Sequence, residues 1–397
     1  MTGRRPVFFI ALGLFGLYCI EFGVVGILPL IIERFHVTAA RAGLLVGLFA
    51  LVVAVAGPAL VLLASRFERK RVLAVALLLF AAVSALSAYA ASFGALLALR
   101  VLAALFHPVY FSLAMVAAAS MYPPQQATRA SAHAFIGTSM GMVLGIPLTT
   151  WVAARFGYEM SFLYCAAVNL AAAAGLIASL PPTPASGRLS YAKQLSILRR
   201  PPLWLNIAAA TVVFAAMFSV YAYAAEYLHQ RTGMDGGAIG LTLAIFGLGG
   251  VLGNLLAGRL LGKGLLATVL LHPLALAGAY LVLYFCATPA LATMAVIALF
   301  WGAAHTSGLI VTQVWLSAEA PDAPEFATGL YIAFINLGVT IGSLAGGWFI
   351  ERFGIQGSIA SGLLFAALAL ALVALKVLLY GAAPSTFGGA AAARASG

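Results

Sequence analysis

Charge is what this chain lacks. Only 8% of its 397 residues are charged and ten in all are acidic, whereas 64% are hydrophobic. A water-soluble fold of this length needs far more charge to cover its surface. Cysteine is scarce too: Cys19, Cys165 and Cys286 all fall in apolar runs without metal-ligand or redox spacing, and read as small packing residues. No Walker loop, no metal cluster and no paired nucleophile and base are visible, so ATP drive and enzymatic chemistry find no support and no cofactor or metal is expected.

What is present is a succession of apolar runs, with a mean hydropathy of +1.08. Runs of about 20 residues each suffice to cross roughly 30 Å of hydrocarbon. Twelve can be drawn: Val7–Ile32, Ala42–Ser65, Val72–Ala91, Gly94–Ser120, Ala130–Ala154, Met160–Leu180, Leu203–Ala225, Gly237–Gly258, Gly264–Cys286, Pro289–Leu316, Ala327–Ile350 and Ser358–Tyr380. Backbone groups in lipid must be satisfied within the segment, and runs this long do so as helices. The expected fold class is an all-α membrane protein of twelve transmembrane helices. The first run carries Glu21 and no small-residue cleavage site, so it reads as a retained helix rather than a signal peptide.

The net charge of +11 encodes orientation rather than nucleic-acid binding. On this span count fifteen cations fall on one side: Arg4, Arg5, Arg66, Arg69, Lys70, Arg71, Arg129, Arg188, Lys193, Arg199, Arg200, Arg259, Lys263, Lys376 and Arg394. Five fall on the other: Arg34, Arg41, Arg155, Arg231 and Arg352. Cytoplasmic loops carry the excess, which places both termini inside.

The chain also repeats itself. Gly141, Gly145, Trp151, Arg155, Phe156 and Gly157 recur 197 residues later as Gly338, Gly342, Trp348, Arg352, Phe353 and Gly354. Upstream, Gly57, Leu62, Leu63, Ala64, Arg66 and Lys70 return as Gly250, Leu255, Leu256, Ala257, Arg259 and Lys263. Two similar apolar halves, related as parallel repeats about a central cavity, are a design of secondary transporters. The expected division is a six-helix bundle at 1–180, a linker at 181–202, a second bundle at 203–380 and an unstructured tail at 381–397. The linker is rich in proline and cations, and its Leu189–Leu198 stretch could lie as an amphipathic helix on the membrane surface.

Inside the twelve spans only Glu21, Arg100 and Lys376 are formally charged. Lys376 lies near a helix end and can snorkel, so it reads as structural. Glu21, eleven residues from the outer end of its run, sits about 16 Å deep at 1.5 Å per residue. Arg100 and His107 are seven apart, on one helical face at depths of roughly 10 and 20 Å, and bracket it. A buried carboxylate beside a cation has a protonation state sensitive to water and to that cation. Glu21 is therefore the candidate coupling residue, Arg100 its tuning partner and His107 a relay; a static ion pair between helices is the plainer alternative. His133, His272 and His305 read as structural, although His305 also counts among cavity candidates.

Gly137, Gly141 and Gly145, four apart and followed by Pro147, make a stripe for close helix approach. Phe214, Phe218 and Tyr221 form an aromatic stripe that suits a substrate cavity or a lipid-facing belt equally. Tyr18, Phe22, Tyr110, Phe111, Trp301 and Asn336 are further cavity candidates.

Together these residues resemble the major facilitator superfamily, in its twelve-helix drug:proton antiporter group, nearest to bacterial sugar-efflux (arabinose efflux permease-like) members. Glu21-Phe22-x3-Gly26-x-Leu28-Pro29 is similar to the group's first-helix signature. Gly57 through Arg71 resembles its cytoplasmic loop motif, with Arg66, Arg69, Lys70 and Arg71 in the basic positions but Ala64-Ser65 where an aspartate is usual. Arg100, His107 and the Gly137–Pro147 stripe match positions on its fourth and fifth helices, the stripe being associated with exporters. Tyr223-x2-Glu226-Tyr227-Leu228 resembles a seventh-helix signature in which proline is expected at Glu226. Gln313 through Ala320-Pro321-Asp322 and Asn336-x-Gly338 are similar to tenth- and eleventh-helix patterns. The resemblance implies a monomeric inner-membrane exporter that exchanges protons for a small molecule, with the proton gradient as its energy source. An uncoupled facilitator or importer, and a non-transporting receptor on the same fold, are the alternatives.

Overall fold

In the computed structural model, which describes residues 4–121, 134, 136–138, 140–181, 198–320 and 324–381, twelve helices are long and apolar enough to cross a membrane. They coincide with the twelve expected runs, with ends shifted by a few residues. The helices are α1 (Arg4–Gly26), α2 (Leu28–Phe35), α3 (Ala39–Ala64), α4 (Arg69–Ala88), α5 (Phe93–Ser120), α6 (Ile146–Phe156) and α7 (Tyr158–Ser179). There follow α8 (Pro201–Tyr221), α9 (Ala224–Thr232), α10 (Gly236–Lys263), α11 (Leu265–Cys286), α12 (Leu291–Glu319), α13 (Pro324–Phe353) and α14 (Gly357–Tyr380). Residues 182–197, with most of the linker and its suggested amphipathic helix, lie outside the described residues, as do the tail beyond Gly381 and His133.

Local chemistry sets several of these boundaries. Thr38 and Ser92 cap α3 and α5, each hydroxyl accepting the N–H of the third residue on (Arg41 and Ala95), both at 3.2 Å. The expected first span is really two helices. It breaks at Ile27 (φ −112°, ψ 14°), two residues before Pro29, which has no N–H to give the carbonyl of Val25. The seventh breaks at Tyr223 with nearly the same geometry, φ −113° and ψ 14°. No proline forces that second break; instead the Tyr223 phenol stands where a Cβ on Gly43 would be.

The chain divides into two compact units. The first comprises Met1–Arg188 and Tyr221–Gly247, the second Leu189–Val220 and Leu248–Gly397. The segment 221–247, part of the second half of the repeat, thus packs with the first unit. In the first unit α1 runs against α7, α6 and the π-helical turn Gly141–Gly145, while α4 lies on α7 and α3 on α5. Their apolar faces enclose a core that includes Leu14, Leu17, Phe80, Tyr110 and Leu113. In the second unit α11 packs on α12 and α14, and α13 on α14, about a smaller core with Val311, Trp315 and Val373.

The sequence repeat has a three-dimensional counterpart. A Cβ on Gly137, Gly141 or Gly145 would meet Ala11, Phe15 with Tyr18, or Cys19, successive turns of α1. In the second unit Gly338, Gly342 and Gly346 stand in the same way against the carbonyls of Thr211, Ala215 and Ser219 on α8. Both stripes let two backbones touch. Each copy of Arg-Phe-Gly also ends in a glycine with positive φ, 94° at Gly157 and 73° at Gly354, a conformation that other residues adopt only with strain.

Gly342→Ala puts a methyl into the backbone of Ala215, whereas Gly329→Ala, on the same helix, meets nothing within 4 Å. Overpacking of this kind costs about 1–3 kcal/mol, while an unhindered helical Gly→Ala gains about 0.5–1 kcal/mol. Thermal unfolding of the two purified variants in detergent should therefore shift in opposite directions; equal melting temperatures would contradict the stripe's role.

Candidate functional site

Two charges and an imidazole meet inside the first unit. Glu21 comes from the last third of α1, Arg100 and His107 from one face of α5, and all three are buried, with exposures of 8%, 3% and 6%. His107 Nε2 lies 2.9 Å from Glu21 Oε2. Among the described residues its other nitrogen, Nδ1, has no hydrogen-bond partner. The imidazole sits between aromatic rings: the Phe49 centroid is 5.6 Å away and that of Tyr18 5.9 Å, both edge-on, with Phe22 tilted against Tyr18 at 5.9 Å. Among the described residues the carboxylate thus has His107 as its side-chain hydrogen-bond partner, and rings wall the pair.

Arg100 reaches Glu21 through the backbone. Its guanidinium donates to three peptide oxygens: Nε to Leu45 at 2.9 Å, and the terminal nitrogens to Ile20 at 2.5 Å and Glu21 at 2.9 Å. It holds the backbone of Glu21, and no ion pair joins it to the carboxylate. A helical carbonyl has a second lone pair to spare, so this fork costs α1 and α3 none of their own hydrogen bonds. The same guanidinium lies 4.7 Å from the Phe49 ring centroid, in cation–π range. Arg100 therefore ties α1, α3 and α5 together and fixes where Glu21 stands. A cavity of about 20 Å³, room for about one water, borders Arg100 and is lined also by Cys19, Ser84, Thr149, Ser161 and Cys165. Phe49, which touches both His107 and Arg100, escaped the sequence reading because nothing distinguishes it within an apolar run.

Other expected site residues fall into separate groups. Tyr110 is in the core of the first unit, its hydroxyl donating to the carbonyl of Ile10 at 3.3 Å, and Phe111 packs on that core. In the second unit Phe214 and Phe218 stack at 6.3 Å, Tyr331 meets Phe214 edge-on and His305 lies 5.6 Å from Phe218. These rings are buried, which takes them off the lipid face. Trp301 is buried in the same unit, and Asn336 donates to Ile332 on its own helix. Tyr221 stacks on Phe246 at 4.9 Å in the first unit.

Lys376 corrects an expectation. It does not snorkel: it is 1% exposed, and its Nζ lies 2.5 Å from Glu319 Oε1 and 5.8 Å from the Trp315 ring. The partner acid at the end of α12 supplies inside what water would have supplied outside. The basic loop motif also holds an acid that the sequence reading passed over: Glu68, just before α4, pairs with Arg71 at 2.7 Å.

Comparison with known proteins places this arrangement. The profile of the Major Facilitator Superfamily matches residues 10–279 and 207–396. The inner membrane transport protein YdhP of Escherichia coli K12 is 31% identical over 347 residues, covering 87% of this chain and 89% of that protein. A bacterial homolog of the human lysosomal transporter Spinster, solved inward-facing and occupied, superposes with a TM-score of 0.79 at 18% identity over 96% of this chain and 98% of its own. The nucleoside transporter NupG gives 0.74 at 14% identity, over 95% and 98%. At these identities the structural likeness speaks for the fold.

Arg100→Lys keeps the charge and loses the fork, since one ammonium cannot reach all three carbonyls in the planar geometry of a guanidinium. Each lost charge-assisted hydrogen bond is worth about 1.5–3 kcal/mol. The variant should melt several degrees below the wild type in detergent, and an unchanged melting curve would count against Arg100 as the tie between helices.

Proposed function

The chain belongs to the major facilitator superfamily of membrane transporters, and on that premise we propose that it is a proton-coupled exporter of a small neutral or amphipathic molecule. The observation that carries the reading is the buried contact of 2.9 Å between Glu21 and His107, whose Nδ1 has no hydrogen-bond partner among the described residues. A proton taken up at Nδ1 allows the one on Nε2 to pass to Glu21, leaving a neutral acid beside a neutral imidazole. The reverse passage returns it. Such a group serves coupling when it loads from one side of the membrane and unloads to the other, while cargo travels the opposite way. Arg100, held on the peptide of Glu21, is a positioning residue for that exchange.

Export rests on the resemblance of the Gly137–Pro147 stripe to the exporters' fifth-helix motif. The cargo class rests on the buried rings of Phe214, Phe218, Tyr331 and His305 and on the scarcity of interior charge: flat apolar faces suit a neutral or amphipathic molecule, a sugar or a drug. The YdhP relative supports an inner-membrane location, and the cation asymmetry favours cytoplasmic termini. The protein would work as a monomer in the bilayer.

A thermal-shift screen of the purified protein against sugars, nucleosides and antibiotics selects a ligand. Its uptake into everted vesicles under an imposed proton gradient then reads coupling. Glu21→Gln should reduce that uptake to background while the ligand still raises the melting temperature. Gradient-driven uptake that survives in Glu21→Gln would leave an uncoupled carrier as the better reading.

A further inference from the structure

A second buried carboxylate lies in the first unit, and among the described residues no cation pairs with it. Among the acids whose side chains are described, Glu21, Glu68, Glu159 and Glu319 each face a cationic or ionisable nitrogen: His107, Arg71, Arg34 and Lys376. Asp235 caps the N–H of Ala238, and Glu33 and Glu351 are exposed. Glu226 is 4% exposed, more buried than Glu21. Its Oε1 accepts from the neutral amide of Gln230 at 2.5 Å, and its Oε2 has no partner among the described residues. An ionised carboxylate left in that position costs several kcal/mol or more. Either a proton or another cation must compensate it.

We propose that Glu226 is a second proton-binding site, loaded while the segment 221–247 is packed in the first unit and discharged when that packing opens. The surroundings favour a proton over a metal ion. Hard cations gather six or more oxygen ligands, whereas one of the two carboxylate oxygens here is already taken by an amide. Among the described residues no group of three or more His, Cys, Asp or Glu is suited to hold a metal. The elements packed on α9 are α1 and α2. Their ionisable groups toward this end are Tyr18, Cys19 and Glu21, the last engaged with His107, and Glu33 and Arg34, the last engaged with Glu159. On α9 itself stand Tyr227, His229 and Arg231, with His229 Nδ1 3.3 Å from the carbonyl of Met234; across from the break, α3 carries Arg41 near Gly43. None of these is hydrogen-bonded to Glu226.

Its place in the chain ties the proton to packing. Glu226 is the third residue after the break at Tyr223, in the stretch of chain that leaves its own half of the repeat to join the first unit. One junction lies just before the helix break at Tyr223, and the other lies within α10 beside Gly247, Gly249 and Gly250. Once the segment comes away, water solvates the carboxylate and the reason for holding the proton is gone. By the same linkage, loss of the proton favours the open arrangement. In the first half the residue at the corresponding place after the break is Leu30, so this site belongs to one half only.

Two measurements on the purified full-length protein test this without any transported ligand. Infrared difference spectra across a pH titration should show a protonated-carboxyl component that is lost in Glu226→Gln and persists in Glu21→Gln. Spin labels at the exposed positions 41 and 231 should move apart as pH rises in an otherwise wild-type background and stay close in Glu226→Gln, which mimics the protonated acid. A carboxyl band untouched by Glu226→Gln overturns the proposal, as does one that responds to sodium instead of pH. An identical pH response of the labels with and without Glu226 overturns the link to packing. Because Glu21→Gln is a separate arm, failure here is distinguishable from failure of coupling at Glu21.

Discussion

A guanidinium buried among apolar helices has to be satisfied, and Arg100 is satisfied by backbone. Three peptide oxygens from two helices take its N–H groups, and a ring covers its face. The consequence for Glu21 is indirect and large. Had the guanidinium gripped the carboxylate, the pair would be a static bridge with both charges spent on each other. With Arg100 engaged on the peptide, the carboxylate has His107 as its hydrogen-bonded ionisable partner among the described residues. The geometry separates the task of holding α1 in place from the task of exchanging a proton.

The two halves share a scaffold and differ in chemistry. Their glycine stripes meet the first helix of each half at matching turns, and both first helices break with the same dihedral angles. His107 is the fifteenth residue of α5 and His305 the fifteenth of α12, so each half presents an imidazole at the same level of its fourth span. The break aligns Glu21 with Met217, however, and His305 faces Phe218 where His107 faces a carboxylate. Duplication supplied the frame; divergence left a titratable pair in one half and an apolar, aromatic surround in the other. The charge budget agrees with this division, since ten acids in the whole chain leave few to spend in the interior.

Much of this was legible beforehand. The twelve spans followed from run length alone, because a backbone in lipid has no alternative to helix. The glycine stripe was legible as a packing device, and the seven-residue spacing of Arg100 and His107 placed them on one face toward Glu21. The partner of each group was not legible. Carbonyl oxygens leave no mark in a sequence, so the Arg100 fork on Leu45, Ile20 and Glu21 was invisible, and so was Phe49. Lys376 was read as reaching for water because its acid, Glu319, lies 57 residues away on another helix.

The sequence by itself determined how often the chain crosses a membrane, that it is built twice, and which few ionisable side chains the bilayer must accommodate. These depend on composition and period, which are local and additive. Tertiary structure decided what each buried charge touches, that Tyr221–Gly247 packs with the first unit, and that Glu226 ends up enclosed without a counter-charge among the described residues. Those outcomes depend on which helices meet and at which turn, a contest among long-range contacts that no stretch of sequence contains.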